Sequence, residues 1–123
     1  MTKRVLDVGN CVPDHAAIRS LIENNFAAKV VQSHGPEDTL AALRAGGIDL
    51  VLVNRKLDRD YTDGLDIIKQ IKADAELATV PCMLISNHAD HQELAVQAGA
   101  ARGFGKLEFN KPETRARLTE ILG

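Results

Sequence analysis

The chain has no tryptophan, one tyrosine and three phenylalanines. Phe26, Tyr61, Phe104 and Phe109 are scattered, so there is no stacking platform for single-stranded nucleic acid. An excess of one charge is missing too. Fifteen Lys and Arg stand against seventeen Asp and Glu, a net charge of −2 with His neutral. No global field therefore points to nucleic acid or to an anionic membrane. No apolar stretch reaches the roughly 20 residues that span a bilayer. Met1-Thr2-Lys3-Arg4 is basic, but the apolar segment after it is too short for a signal peptide and is broken by Asp7. A cytoplasmic location is expected. Cysteine is limited to Cys11 and Cys82, whose placement has neither metal nor redox spacing, and both are expected as reduced thiols. Gly9 stands alone after the first apolar segment, which excludes a dinucleotide-binding turn, and no Gly-x-Ser-x-Gly elbow occurs.

What is present is a steady alternation of strand-like and helix-like segments. With 45% hydrophobic and 26% charged residues over 123 positions, the composition suits one compact domain, residues 1–123. Arg4 to Val8 reads as a short strand. Pro13 opens a helix with Ala17, Ile18, Leu21, Ile22 and Phe26 at helical spacing. Lys29 to Gln32 is a second strand, and Gly35-Pro36-Glu37-Asp38 starts a helix that Gly46-Gly47 ends. Leu50 to Val53 is an unbroken apolar run ending at Asn54, the pattern of a strand covered on both faces. Thr62 or Asp63 caps a third helix through Leu65, Ile67, Ile68 and Ile71. Val80 to Ser86 is a fourth strand, with Pro81 near its start, and Asp90 to Ala98 a fourth helix. Gly103-Phe104-Gly105 belongs to a short fifth strand, and Asn110 with Glu113 resembles a capping box for a last helix, Lys111 to Leu122. Five such units argue for an α/β fold, a doubly wound parallel sheet with helices on both faces. Periodicity alone leaves the strand order open.

In open parallel sheets, ligands and chemistry sit at the carboxyl ends of central strands. Asn54 occupies that place, and its amide is no nucleophile at ordinary pH.

The order and spacing of Asp49-Leu50-Val51-Leu52-Val53, Gly64-Leu65, Val80-Pro81 through Ile85-Ser86, Gln97-Ala98-Gly99-Ala100, and Lys106 before Phe109 resemble the receiver domain of bacterial response regulators over nearly the whole chain. The resemblance implies a flavodoxin-like, five-stranded sheet of order 2-1-3-4-5. It also implies a phosphorylatable Asp ending the third strand, an acidic pair holding Mg²⁺ after the first, a Ser or Thr ending the fourth and a Lys ending the fifth. Ser86 and Lys106 match. Asn54 stands at the phosphoacceptor position, and the acidic pair falls on Gly9/Asn10 or Asn10/Cys11, neither of which contains a carboxylate. Lys56 lies near the place where the family offers a backbone carbonyl to the metal. Asp7, Asp58, Asp60 and Asp63 are the acids available for recruitment, and Mg²⁺ binding is not expected.

Other features are weighed beside this one. Asp7 in a central strand is either a displaced site acid or an acid paired locally. His88 and His91, with Asp90 between them, are a two-histidine pattern that lacks a third firm ligand, and no metal is assigned. Arg55, Lys56 and Arg59 form a cationic cluster, interleaved with Asp58 and Asp60, that suits an anion or a partner. The resulting expectation is an atypical stand-alone receiver acting in two-component, phosphorelay-type signalling through protein contact, without enzymatic activity and without phosphorylation. Its partner is a protein of a signalling pathway, with a second copy of the chain as one candidate, and Arg102 with the last helix lies on the expected contact surface. The alternatives are a receiver phosphorylated on an unusual Asp, and a small flavodoxin-like enzyme or ligand-binding protein using the strand-end cleft. Counting back three from Lys106 puts Gly103 at the position of the family's mobile aromatic, and strand alternation sends Phe104 into the core.

Overall fold

The computed structural model describes residues 2–123; Met1, part of the basic start considered above, lies outside the described residues. Five strands and five helices alternate: β1 Lys3–Val8, α1 Val12–Asn25, β2 Ala28–Ser33, α2 Pro36–Arg44, β3 Leu50–Asn54, α3 Gly64–Ala73, β4 Cys82–Ile85, α4 Ala89–Gln97, β5 Ala101–Phe104 and α5 Pro112–Leu122. The sheet is parallel and its order is β2-β1-β3-β4-β5. This is the flavodoxin-like arrangement that the resemblance implies.

The periodicities explain the layers. In β3 every residue is buried, because alternate side chains meet different helices. Leu50 and Leu52 pack with Val5, Met83 and Phe104 against Ile18 and Ile22 of α1 and Leu118 of α5. Val51 and Val53 pack with Val8 and Leu84 against Leu43 of α2 and Ile67, Ile68 and Ile71 of α3. Each such side chain, fully buried, contributes about 1.5–3 kcal/mol.

Three local expectations need correction. The helix expected from Pro13 starts at Val12, with Pro13 in its first turn and Cys11 as N-cap. The strand expected to include Gly105 stops at Phe104, and a 3-10 turn, Lys106–Glu108, follows it. Glu108 folds back to accept the Gly105 N–H at 2.9 Å, which ends the strand. No capping box forms at Asn110, because the N-cap of α5 is Lys111 and carries no side-chain cap. Instead, the Thr114 hydroxyl donates to the Glu108 carbonyl at 2.7 Å and ties this helix to the 3-10 turn.

Candidate functional site

The carboxyl ends of β1, β3 and β4 converge on Asn54. Val8 pairs with Val53, and Asn54 with Ile85. Beyond Val8 the chain turns at Gly9, whose φ of +76° favours glycine and whose Cα packs against Leu57 so closely that a Cβ would collide with it. Gly64 is needed at the other side, since a Cβ there would meet the Asn54 carbonyl. These two glycines let the loops after β1 and β3 close over the strand ends. The loop after β3 is anchored by Leu57, fully buried beneath Gly9, and closed by a Leu57 N–H to Thr62 carbonyl bond of 2.9 Å.

Asn54 is nine-tenths buried. Its Nδ2 donates to the Lys56 carbonyl at 2.8 Å and to the Gly9 carbonyl at 3.3 Å. The amide thus uses both hydrogens on backbone oxygens, one of which is the carbonyl near where the family presents an oxygen to its metal. The Gly9 carbonyl also accepts the Asp58 N–H at 2.8 Å. Oxygens that would suit a hard cation are therefore engaged by N–H donors. Among the described residues, no three His, Cys, Asp or Glu side chains converge on a point. These residues do not fit a Mg²⁺ ion.

Around Asn54 lies a cavity of about 340 Å³ whose wall includes Lys56, Ser86, Asn87, His88, His91 and Lys106. Ser86 and Lys106, matched from the sequence, do line one cleft. Ser86 is buried; its hydroxyl lies 2.8 Å from Nδ1 of His91 and accepts the His88 N–H at 3.2 Å. The two imidazoles meet edge to face with centroids 4.9 Å apart. The ring that bonds the Ser86 hydroxyl is that of His91, in the first turn of α4.

The acids named for recruitment stay outside this cleft. Asp63 caps α3 through the Leu65 N–H and pairs with Arg55 at 2.9 Å. Asp60 accepts the backbone and hydroxyl of Thr62, bonds that hold its carboxyl below the usual range. Asp58 is exposed. Asp7 is fully buried in β1, and its partners are Asn10 Nδ2 and, at 2.7 Å, His15 Nδ1. Burial pushes Asp7 above the ordinary carboxylate range, against the pull of the His15 and Asn10 bonds. Asp7 is thus an acid paired locally, under the cleft rather than in it. Asn10 turns down to Asp7, and its Oδ1 is buried with no partner. Cys11 is the N-cap residue of α1 without a side-chain cap, and its thiol donates to Asp14 at 3.1 Å. Of the three residues at the acidic-pair positions, Gly9 is the one hydrogen-bonded to Asn54.

The carboxylate that does reach the site is Asp14, in the first turn of α1. Its Oδ2 lies 2.6 Å from Lys106 Nζ, and this bond holds Asp14 below the usual carboxylate range. The list of recruits named from the sequence omitted it. The cationic cluster also divides. Arg59 turns to Glu37 and Asp60, Arg55 to Asp63, and Lys56 remains at the cleft without an ion pair among the described residues. Arg102 lies on another face, beside α4 and α5.

Residues 11–122 match the family described as the response regulator receiver domain. Among solved structures, the chain is similar to a Chloroflexus aurantiacus protein described as a candidate response regulator, with 17% identity, a TM-score of 0.84 and coverage of 99% of this chain and 98% of that one. It is similar to a response regulator from Thermotoga maritima, at 22% identity and a TM-score of 0.79 over 99% of this chain and 98% of that chain. It is also similar to NtrX from Brucella abortus, at 21% identity and a TM-score of 0.76 over 97% of this chain but 28% of that longer one.

Proposed function

The chain belongs to the response regulator receiver domain family, and from that premise we propose that it is a signalling module that has lost phosphoacceptor chemistry and works by protein contact. The observation that carries this reading is the Asn54 amide, bound to two backbone carbonyls where the family has its acceptor carboxylate. Two further features support it. Lys106, which in the family meets the phosphoryl oxygens, is paired with Asp14. Phe104 is buried in the core against Phe109, with ring centroids 5.9 Å apart, so the family's mobile aromatic has no counterpart at Gly103. On this reading the protein has no enzymatic activity and needs no Mg²⁺. It acts in the cytoplasm through one constitutive surface, on a partner protein of the pathway or on a second copy of itself. No helix of the described residues is long and apolar enough to cross a membrane.

The test is intact-mass measurement after incubation with Mg²⁺ and acetyl phosphate. No mass change is expected; an acid-labile phosphoryl adduct overturns the proposal. Asp14 supports a second reading, a receiver phosphorylated on an unusual Asp, because it is the carboxylate beside Lys106. Peptide mapping of any adduct decides whether Asp14 carries it.

A further inference from the structure

We propose that His88 and His91 hold a divalent transition-metal ion of the zinc class, on the β4 side of the cleft. This goes beyond the reading of the chain as an interaction module and does not depend on it.

The two imidazoles stand three residues apart, His88 as the N-cap of α4 and His91 in its first turn. Their ring centroids are 4.9 Å apart, with the planes at 66°. Two imidazoles that share one tetrahedral ion, each bonded to it at about 2.0–2.1 Å, have centroids about 5 Å apart. The pair therefore already has the spacing that one ion requires. His91 is fixed further. Ser86 Oγ accepts the His88 N–H at 3.2 Å and lies 2.8 Å from His91 Nδ1. A hydroxyl oxygen has two lone pairs, and the second one receives a proton carried on Nδ1. That tautomer leaves His91 Nε2 with the free lone pair. A ligating histidine donates its other ring N–H to a fixed acceptor in this way, which sets both ring and tautomer. Ser86 is itself buried. His88 is exposed, and among the described residues neither of its ring nitrogens is hydrogen-bonded. Its ring turns toward Nε2 of His91 without losing a bond.

Asn54 lines the same cavity. Its amide hydrogens are on backbone carbonyls, and among the described residues its Oδ1 accepts no hydrogen bond. That oxygen supplies a third donor, and water takes the fourth position. Two imidazoles and an amide oxygen suit Zn²⁺, Ni²⁺ or Cu²⁺, whereas Mg²⁺ takes carboxylates and waters. The nearby cations do not prevent this. Lys106 is paired with Asp14 at 2.6 Å, and Lys56 is exposed, so its stem keeps the ammonium in solvent.

The untagged chain, stripped of metal by a chelator, is titrated with Zn²⁺ and followed by NMR of its ¹⁵N-labelled side chains. One ion per chain is expected. It should shift the rings of His88 and His91 and the Asn54 amide. His15, whose Nδ1 is on Asp7, and His34 should stay unmoved. Millimolar Mg²⁺ should shift none of these signals. His88→Gln removes a ligand at an exposed position and should weaken Zn²⁺ binding at least about tenfold. Ser86→Ala removes no ligand; it should abolish the Nδ1–H preference of His91 and weaken binding about tenfold. Unmoved rings at His88 and His91, equal shifts at all four histidines, the same shifts with Mg²⁺, or unchanged affinity in His88→Gln would each overturn the proposal. Each of these outcomes leaves the acetyl phosphate result untouched, and a phosphoryl adduct in that experiment leaves the Zn²⁺ titration standing.

Discussion

Asp14 Oδ2 lies 2.6 Å from Lys106 Nζ, joining the start of α1 to the turn after β5 across the strand ends. The family cation is thereby supplied with an internal carboxylate. Asp14→Asn should release Lys106 and raise the affinity of the cleft for inorganic phosphate, without metal, by about threefold to tenfold. The wild type should bind phosphate weakly through Lys56, Ser86 and the partly neutralised Lys106. Both side chains are about a third exposed, so the pair contributes about 0.2–1 kcal/mol to stability. Asp14 is lowered, so that contribution is present above the unfolded-state value of 3.8 and is lost as pH falls through the lower folded-state value. Phosphate titration by NMR and acid unfolding of both proteins measure the two effects. Equal phosphate affinity in wild type and variant would rule out competition by Asp14.

Asn54→Asp alone should fail to restore phosphorylation. The Asn54 Nδ2 donates to the Lys56 and Gly9 carbonyls, so a carboxylate there would face two acceptor oxygens. With no Mg²⁺ site beside it, the substitution should cost about 1–3 kcal/mol. Denaturant unfolding reads the cost, and intact mass with acetyl phosphate and Mg²⁺ reads the chemistry. Robust phosphorylation of this single variant would mean that Mg²⁺ ligands come from residues not identified above.

The layers and the central part of the site were legible because they depend on local pattern. Leu50 to Val53 as one apolar run specifies a strand covered on both faces, and Asn54 follows by position. Ser86 and Lys106 were matched through the family resemblance rather than through local pattern, and both line the cleft. Asp14 was missed because an acid in a helix's first turn has a sufficient local explanation in the macrodipole. Pro13-Asp14 beside the end of β1 was the available signal. The partners of Asp7 and Ser86 are eight and five residues away, across a turn and on a helix, so they depend on how α1 and α4 seat on the sheet. The capping box at Asn110 failed because the 3-10 turn carries the chain to Lys111 before α5 starts.

Asp7→Asn should change the pH dependence of stability. Burial raises Asp7 in the folded state, so folding binds a proton in the window between 3.8 and the raised value, and stability is lost as pH rises through it. An Asn side chain keeps an acceptor toward His15 and removes that loss. The variant's stability relative to wild type should therefore improve from acid toward neutral pH. Urea midpoints at several pH values test this. A relative stability that instead falls toward neutral pH would show that the His15 and Asn10 bonds outweigh burial.

Gln92 clamps α4 to the sheet, and this bears on whether the domain has two states. Its amide bonds the Leu84 and Ser86 carbonyls, in and just after β4, and the Gly103 N–H of β5. Gln92→Ala would leave buried groups unpaired and should cost at least about 2 kcal/mol. Ser86→Ala removes the hydroxyl from His91 and the His88 N–H but leaves the clamp in place. A ligand shifts a conformational equilibrium only through differential affinity for its states. Where Ser86 has no phosphoryl group to follow and Phe104 is packed in the core, no such difference exists. Ser86→Ala should therefore change partner affinity by no more than about twofold, well under the roughly 1.4 kcal/mol of a tenfold change. Relaxation dispersion on the wild type should show no exchange process shared by Ser86 and Phe104. A shared process that Ser86→Ala abolishes would mean that the switch survives with Phe104 as its moving aromatic.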